Sequence, residues 1–175
     1  FLYDADLELL GDVEGEDVLE LGCGGGQCTV GMAERGANVT GIDLSDAQLD
    51  HARELAAERN VDVDLIQGDV TDLSAFEDGS FDAAVNAYVF QWVEDLVACF
   101  EETYRVLRPG GRFAFTTPHP FDKVVDPETH RVEESYFETG RHVVVDESRE
   151  ANLVTHRNTV GDYVNGLIDA GFEIE

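Results

Sequence analysis

Short apolar, β-branched runs alternate along the chain with longer stretches whose apolar positions recur every three or four residues. This alternation predicts βαβ units and a parallel sheet. Strands are expected near Asp17 to Leu21, Asn38 to Ile42, Val63 to Gln67, Phe81 to Asn86 and Arg112 to Thr117. A helix begins near Gln27. Ser45, with Gln48 three residues on, forms a capping box opening a helix to about Asn60, with Leu49, Ala52 and Ala56 on one face. Leu96, Cys99, Phe100, Thr103 and Leu107 mark another helix, stopped by Pro109-Gly110-Gly111. From Pro118 to about His156 the pattern weakens. His119-Pro120, Asp126-Pro127 and Thr139-Gly140 punctuate it, which reads as an insertion or lid-like region. A last helix, about Val160 to Ala170, carries Tyr163, Leu167 and Ala170 on one face and ends at Gly171. Phe172-Glu173-Ile174-Glu175 then reads as the start of a strand. The expected fold is a doubly wound, mostly parallel α/β sheet with helices on both faces. It forms one domain over residues 1–175, with a core of about 15–117, a lid-like region of about 118–156, and a C-terminal helix and first residues of a sixth strand over about 159–175.

Length agrees: 175 residues, 43% of them hydrophobic, suffice for one core but not two. No apolar run reaches the roughly 20 residues that span a bilayer, and the start, Phe1-Leu2-Tyr3-Asp4, lacks the basic-then-apolar layout of a secretory signal. A soluble, cytoplasmic protein with no membrane partner is expected. Cys23, Cys28 and Cys99 are too few for a disulfide framework and form no C-x-x-C pair, so all three read as reduced thiols and no metal site is expected.

Charge adds a constraint on partners. Against 38 acidic residues stand 11 basic ones, ten arginines and Lys123, for a formal net charge of -27. Such a surface repels nucleic acid phosphates. The acidic residues are spread through the motifs while apolar periodicity survives, a pattern resembling proteins of extreme halophiles, in which molar salt screens the repulsion.

The candidate chemistry begins where Val18-Leu19-Glu20-Leu21 runs into Gly22-Cys23-Gly24-Gly25-Gly26. Glycines let the backbone turn sharply and a ligand approach closely. The dinucleotide fingerprint G-x-G-x-x-G would need glycine at position 27, which is Gln27; the match is G-x-G-x-G, with Glu20 two residues before it. Alone, such a segment is weak evidence for a nucleotide-like ligand and could be simply a tight strand-to-helix turn. Asp43 lies 21 residues beyond Gly22 at the end of the second strand, where a carboxylate can accept from both ribose hydroxyls. Asp69, in Gln67-Gly68-Asp69-Val70, ends the third strand and could accept from an adenine amino group, while the Val70 N–H could donate to a ring nitrogen. Either aspartate alone could be a loop carboxylate or helix cap; three strand ends in register weigh the other way.

With these motifs in place, the chain resembles the class I S-adenosylmethionine-dependent methyltransferases, especially those acting on small molecules and on quinone or lipid precursors. The resemblance rests on Val18 to Gly26, Val39-Thr40-Gly41-Ile42-Asp43-Leu44-Ser45, Gly68-Asp69-Val70, Gly79-Ser80-Phe81-Asp82-Ala83-Ala84-Val85 and Val106-Leu107-Arg108-Pro109-Gly110-Gly111-Arg112-Phe113, in family order over roughly residues 15 to 120. It implies a Rossmann-like fold and S-adenosyl-L-methionine as cofactor. Glu20 would face the methionine amino group, directly or through water, and Gly22, Cys23, Gly24 and Gly26 would line the methionine moiety. Asp43 and Leu44 would meet the ribose, and Asp69 and Val70 the adenine. Asn86 and Ala87 would lie beneath the amino acid part and the sulfonium, with Tyr88 and Trp92 close by.

The implied reaction is an in-line methyl transfer to a small-molecule acceptor, needing orientation and, for a protonated acceptor, a base. Candidate bases are His119, His130, His142 and His156, with Tyr88, Tyr136 and Glu138 behind them; each histidine could equally be an ordinary loop residue. His119 comes first because Thr117-Pro118-His119-Pro120 follows the fifth strand and opens at the carboxyl edge of the sheet. Tyr88, Phe90, Trp92, Phe121, Tyr136 and Phe137 could wall an apolar acceptor pocket or fill the core.

Asn86-Ala87-Tyr88-Val89 is not the Asn/Asp-Pro-Pro-aromatic segment of amino-directed nucleic acid methyltransferases, and Cys99 on a buried helical stripe argues against cytosine C5 chemistry. The family sheet has two further strands, whereas this chain ends at Glu175; the chain is expected to be truncated or incompletely represented, and a whole polypeptide of this length to show reduced stability or a partner, such as a second copy, at that edge. The rival functions are a nicotinamide-dependent oxidoreductase, disfavoured by Gln27, and a non-catalytic cofactor-binding module.

Overall fold

The structure, a computed structural model, describes residues 10–126, 128–146 and 151–174. Phe1-Leu2-Tyr3-Asp4 and Glu175 lie outside the described residues, as does the side chain of Lys123.

Five parallel strands make the central sheet: β1 (Asp17–Leu21), β2 (Asn38–Asp43), β3 (Asp64–Gln67), β4 (Phe81–Ala87) and β5 (Leu107–Thr116), in the order β3-β2-β1-β4-β5. Helices α1 (Gln27–Ala33), α2 (Asp46–Arg59), α3 (Leu96–Val106) and α4 (Val160–Ala170) accompany it. Alternation along the strands sends successive side chains to opposite faces. Leu19, Leu21, Ile42 and Ala84 join one buried cluster with Cys99 and Phe100 of α3 and Tyr163 and Leu167 of α4. Val18, Val39 and Ala83 join a second cluster with Met32 of α1. Both faces are therefore covered, as a parallel sheet requires.

The predicted strand positions are met within a residue or two, except at β5. That strand starts at Leu107, directly after α3, and pairs Phe81 with Leu107 but Ala83 with Arg112. The extra residues form a bulge, and Pro109-Gly110-Gly111 sits in it rather than stopping the helix. A proline without an N–H and a glycine at φ 80 suit a segment released from the ladder. Arg108 ties the bulge to Asp17 at 2.9 Å and Asp82 at 2.6 Å, so one of the scarce cations locks β5 against β1 and β4.

Helix boundaries follow side-chain caps. Asp95 accepts from the Ala98 N–H at 3.0 Å, and Thr159 with Asp162 forms a reciprocal capping box opening α4. At α2 only half of the expected box exists: Ser45 accepts from the Gln48 N–H at 3.3 Å, while the Ser45 N–H donates to Asp43. Arg105 of α3 donates to Leu73 O, Phe76 O, Asp78 and Glu102, pinning the loop between β3 and β4.

The weakly patterned region contains a hairpin that the punctuation hid: β6 (Gly140–Asp146) pairs antiparallel with β7 (Ala151–Arg157). β7 packs against a short 3-10 turn, Phe90–Trp92, that follows β4. The strand expected at the C-terminus is absent over residues 172–174; Phe172 instead packs edge-to-face against Tyr104 and tilted against Phe113, with its N–H on Leu167 O. No helix among the described residues is long and apolar enough to cross a membrane.

Candidate functional site

The strand order reverses between β1 and β4, so the connections after these strands leave toward opposite faces and open a crevice at their carboxyl ends. The glycine-rich turn, the Asn86-Ala87-Tyr88 segment and the Asp43 strand end all meet there.

Gly24 and Gly26 have φ of 52° and 79°, in the left-handed region that side chains other than glycine's disfavour by about 1–2 kcal/mol. A Cβ on Gly26 would lie 2.7 Å from the Ala52 Cβ, so this glycine lets α2 approach the turn. At Gly24 a Cβ would meet nothing closer than Gln48 Oε1 at 3.9 Å, so the space above it is open. Gly22 is covered by the Val89 side chain, which a Cβ there would reach at 2.5 Å.

Asp43 holds the cradle together. Its Oδ2 accepts from the Gly24 N–H and its Oδ1 from the Ser45 N–H, both at 2.8 Å. Leu44 beside it is 67% exposed, and its carbonyl accepts from Gln67 Nε2 at 3.0 Å. Asp69 is exposed and accepts from the Thr71 N–H and hydroxyl at 2.9 and 2.8 Å, which fixes the turn after β3. The Val70 side chain belongs to the core, so only its backbone is available to a ligand.

Glu20 lies behind the turn. It is 2% exposed and accepts a hydrogen bond from the Thr29 hydroxyl of α1, so its carboxylate faces that helix rather than open space. Burial pushes its pKa up to about 7, an effect that the Thr29 hydrogen bond partly offsets and the Asp43 charge adds to. Thr29 was invisible to sequence reasoning, because an ordinary helical threonine carries no signal until its partner is known. Cys23 is also buried, and burial, then the charges of Glu20 and Asp43, push its thiol up to about 12; only its backbone can line a ligand. Cys99, in the core, is likewise pushed up to about 12 by burial. Neither is a nucleophile at neutral pH.

On the other side of the crevice, Asn86 is buried, donating to Leu21 O and accepting from the Val89 N–H, both at 3.4 Å. This ties β4 to β1 at the base of the crevice. Ala87 is exposed, and Tyr88 follows at φ 61, a conformation rare for an aromatic residue. Tyr88 and Trp92 are each 48% exposed. Phe90 between them is fully buried against Phe100, Phe115 and Tyr163, so the expected aromatic set divides: Phe90 is core, and Phe121, Tyr136 and Phe137 form a separate cluster.

His119, the first candidate base, makes a local hydrogen bond. Its Nδ1 accepts from the Phe121 N–H at 3.1 Å, capping a short 3-10 turn. His142 Nε2 meets Arg157 at 3.0 Å, and His156 lines a cavity of about 30 Å³ beside Gln91, Pro118 and Asn158. His130 is exposed at φ 57. Among the described residues no cluster of histidine, cysteine, aspartate or glutamate could hold a metal ion.

The arrangement fits a nucleoside joined to an amino acid: an open glycine cradle, a preoriented carboxylate at the second strand end, and a buried acid next to the turn. A family model described as a methyltransferase domain matches residues 19–115. The ubiquinone biosynthesis O-methyltransferase of Alkalilimnicola ehrlichii is 40% identical over 110 residues, 63% of this chain and 44% of that protein. The uncharacterized methyltransferase YbaJ of Bacillus subtilis is 30% identical over 170 residues, covering 91% of this chain and 67% of its own. An S-adenosylmethionine-dependent methyltransferase from Mesorhizobium loti superposes with a TM-score of 0.84 at 32% identity, over 98% of this chain and 80% of that one. The chain thus spans less than half the length of the first curated relatives it matches.

Proposed function

The chain belongs to the S-adenosylmethionine-dependent methyltransferases, and from that premise we propose that it carries out methyl transfer to a small-molecule acceptor, with the β1–β4 crevice as cofactor site. The observation that carries the reading is the Asp43 carboxylate, anchored by the Gly24 and Ser45 N–H groups beside a glycine cradle open to a ligand.

Bound there, S-adenosylmethionine would supply an electrophilic methyl group whose bond to sulfur breaks as the acceptor atom bonds to carbon. Asp43, with Leu44, would take the ribose hydroxyls, and Asp69 and the Val70 N–H the adenine. Gly22, Cys23, Gly24 and Gly26 would offer backbone to the methionine part, above Asn86 and Ala87. Glu20, buried behind the turn, would act on the ammonium group through water or through the turn's field, and its ionised form suits a cation. Because positive charge on sulfur is dispersed in the transition state and gone in the product, holding the two reactants in line contributes most. The hairpin β6–β7, packed on the turn after β4, serves as the lid-like element on the acceptor side.

The relatives named O-methyltransferases support oxygen as the acceptor atom. The acidic surface disfavours a nucleic acid acceptor. Calorimetry with S-adenosylhomocysteine and with NAD tests the reading: heat with S-adenosylhomocysteine is expected, and heat with NAD alone would overturn it.

A further inference from the structure

Fourteen aromatic rings fall within the described residues, and twelve of them contact another ring. The two without a ring partner are Tyr88 and Trp92, four residues apart on the turn that follows β4. Among the described residues neither the Tyr88 hydroxyl nor the Trp92 indole N–H has a hydrogen-bond partner. Each side chain is 48% exposed.

Their exposure is imposed by the backbone. Tyr88 is held at φ 61 by its N–H on Thr116 O at 2.9 Å and by Gln91 Nε2 on its carbonyl at 3.4 Å. Phe90, fully buried, nails the turn to the core, and the Trp92 N–H closes it on Val89 O at 2.8 Å. A left-handed conformation in a bulky residue marks strain that the surroundings enforce, and such strain concentrates where side chains must face a ligand. The turn also lies at the mouth of the β1–β4 crevice, its Val89 covering Gly22.

We propose that Tyr88 and Trp92 form an aromatic wall of the acceptor subsite, which takes a small molecule carrying a flat, uncharged ring. The proposal rests on the methyltransferase reading and names the acceptor class it leaves open. Two rigid rings without partners offer stacking faces at low entropic cost. The net charge of -27 disfavours an anionic acceptor, and the free Tyr88 hydroxyl suits a ring that bears a hydroxyl.

Trp92 is the single tryptophan of the chain, so its emission reports on this wall alone. The experiment titrates the protein, saturated with S-adenosylhomocysteine, with catechol and with its saturated counterpart cyclohexane-1,2-diol, following Trp92 emission and, in parallel, heat. Catechol should bind saturably and the saturated diol more weakly; Tyr88→Ala should weaken catechol by about fivefold while Tyr88→Phe keeps most of the affinity. Trp92→Leu, followed by heat, should weaken catechol similarly. Thermal melts of the three variants, each with S-adenosylhomocysteine present, confirm that they fold. Equal affinity for the two diols, no saturable binding of catechol, or a Tyr88→Ala variant that binds it unchanged would overturn the wall. Absence of S-adenosylhomocysteine binding to the parent protein would instead sink the methyltransferase reading.

Discussion

Asp43 Oδ2 accepts a hydrogen bond from the Gly24 N–H at 2.8 Å, joining the end of β2 to the glycine-rich turn after β1. The same carboxylate holds the Ser45 N–H at 2.8 Å, so one side chain shapes the cradle and caps the entry to α2. Asp43→Ala leaves two backbone donors without their charged acceptor and should lower stability by about 2–4 kcal/mol. Asp43→Asn keeps one acceptor oxygen and should cost less. Both should bind S-adenosylhomocysteine at least about tenfold more weakly, because the ribose loses its carboxylate. Urea unfolding and calorimetry measure the two effects; a stable Asp43→Ala variant with parental affinity would remove Asp43 from the site.

Glu20 gives stability a pH dependence of defined sign. Its pKa is about 7 in the folded protein against an ordinary 4.5, so the folded state binds more protons than the unfolded one between those values. Stability therefore falls as pH rises from about 4.5 to about 7, by up to about 3 kcal/mol from this group. Glu20→Gln should flatten that part of the profile and be the more stable protein at pH 8, while binding S-adenosylmethionine more weakly because the ammonium group loses an anion. Relief of the overall negative charge at low pH is common to both proteins, so the difference between their denaturation midpoints across this range isolates Glu20. Parallel profiles would show that burial does not hold its proton.

Two glycines of the turn should separate packing from ligand binding. Gly26→Ala places a methyl 2.7 Å from the Ala52 Cβ and 3.0 Å from its Cα, at a left-handed φ of 79. A loss of about 2–4 kcal/mol is expected. Gly24→Ala has room for its methyl and should cost about 1–2 kcal/mol from the backbone alone. That methyl would stand in the open cradle, so Gly24→Ala should lose most affinity for S-adenosylhomocysteine while its melt falls less than that of Gly26→Ala. Thermal melts with and without S-adenosylhomocysteine read both quantities; equal melting losses in the two variants would contradict the packing assignment.

Salt should stabilise the fold. With 38 acidic and 11 basic residues, self-repulsion is large at low ionic strength and is screened as the Debye length shrinks from about 10 Å at 0.1 M to about 3 Å at 1 M. Circular dichroism melts in KCl should shift upward between about 0.1 M and about 3 M. A melt independent of KCl would separate the acidic composition from any adaptation to salt.

Much of this architecture can be read from local pattern. The strand positions, the start of α2 at Ser45 and the end of α4 at Gly171 all follow from periodicity, caps and glycines, which act within a few residues. The hairpin β6–β7 escaped because its valines lie among charges and its pairing partner is the only thing that makes them a strand. The Pro109-Gly110-Gly111 segment was legible as a break but not as a bulge, since a bulge is defined by the register of the neighbouring strand.

For the site the division is similar. The glycine-rich turn, Asp43 and Asp69 are set by residue type and spacing, since a parallel α/β chain delivers successive strand ends to one edge. The side-chain partners are not. Glu20 turned to Thr29 because strand parity put it on the α1 face; His119 accepts from the Phe121 N–H; Tyr88 was forced outward by bonds to Thr116 and Gln91. Residue type and spacing along the chain settle which groups reach the carboxyl edge. Only the packed fold decides which of them already have a partner and which still face a ligand, because hydrogen-bond capacity and burial depend on neighbours distant in the chain.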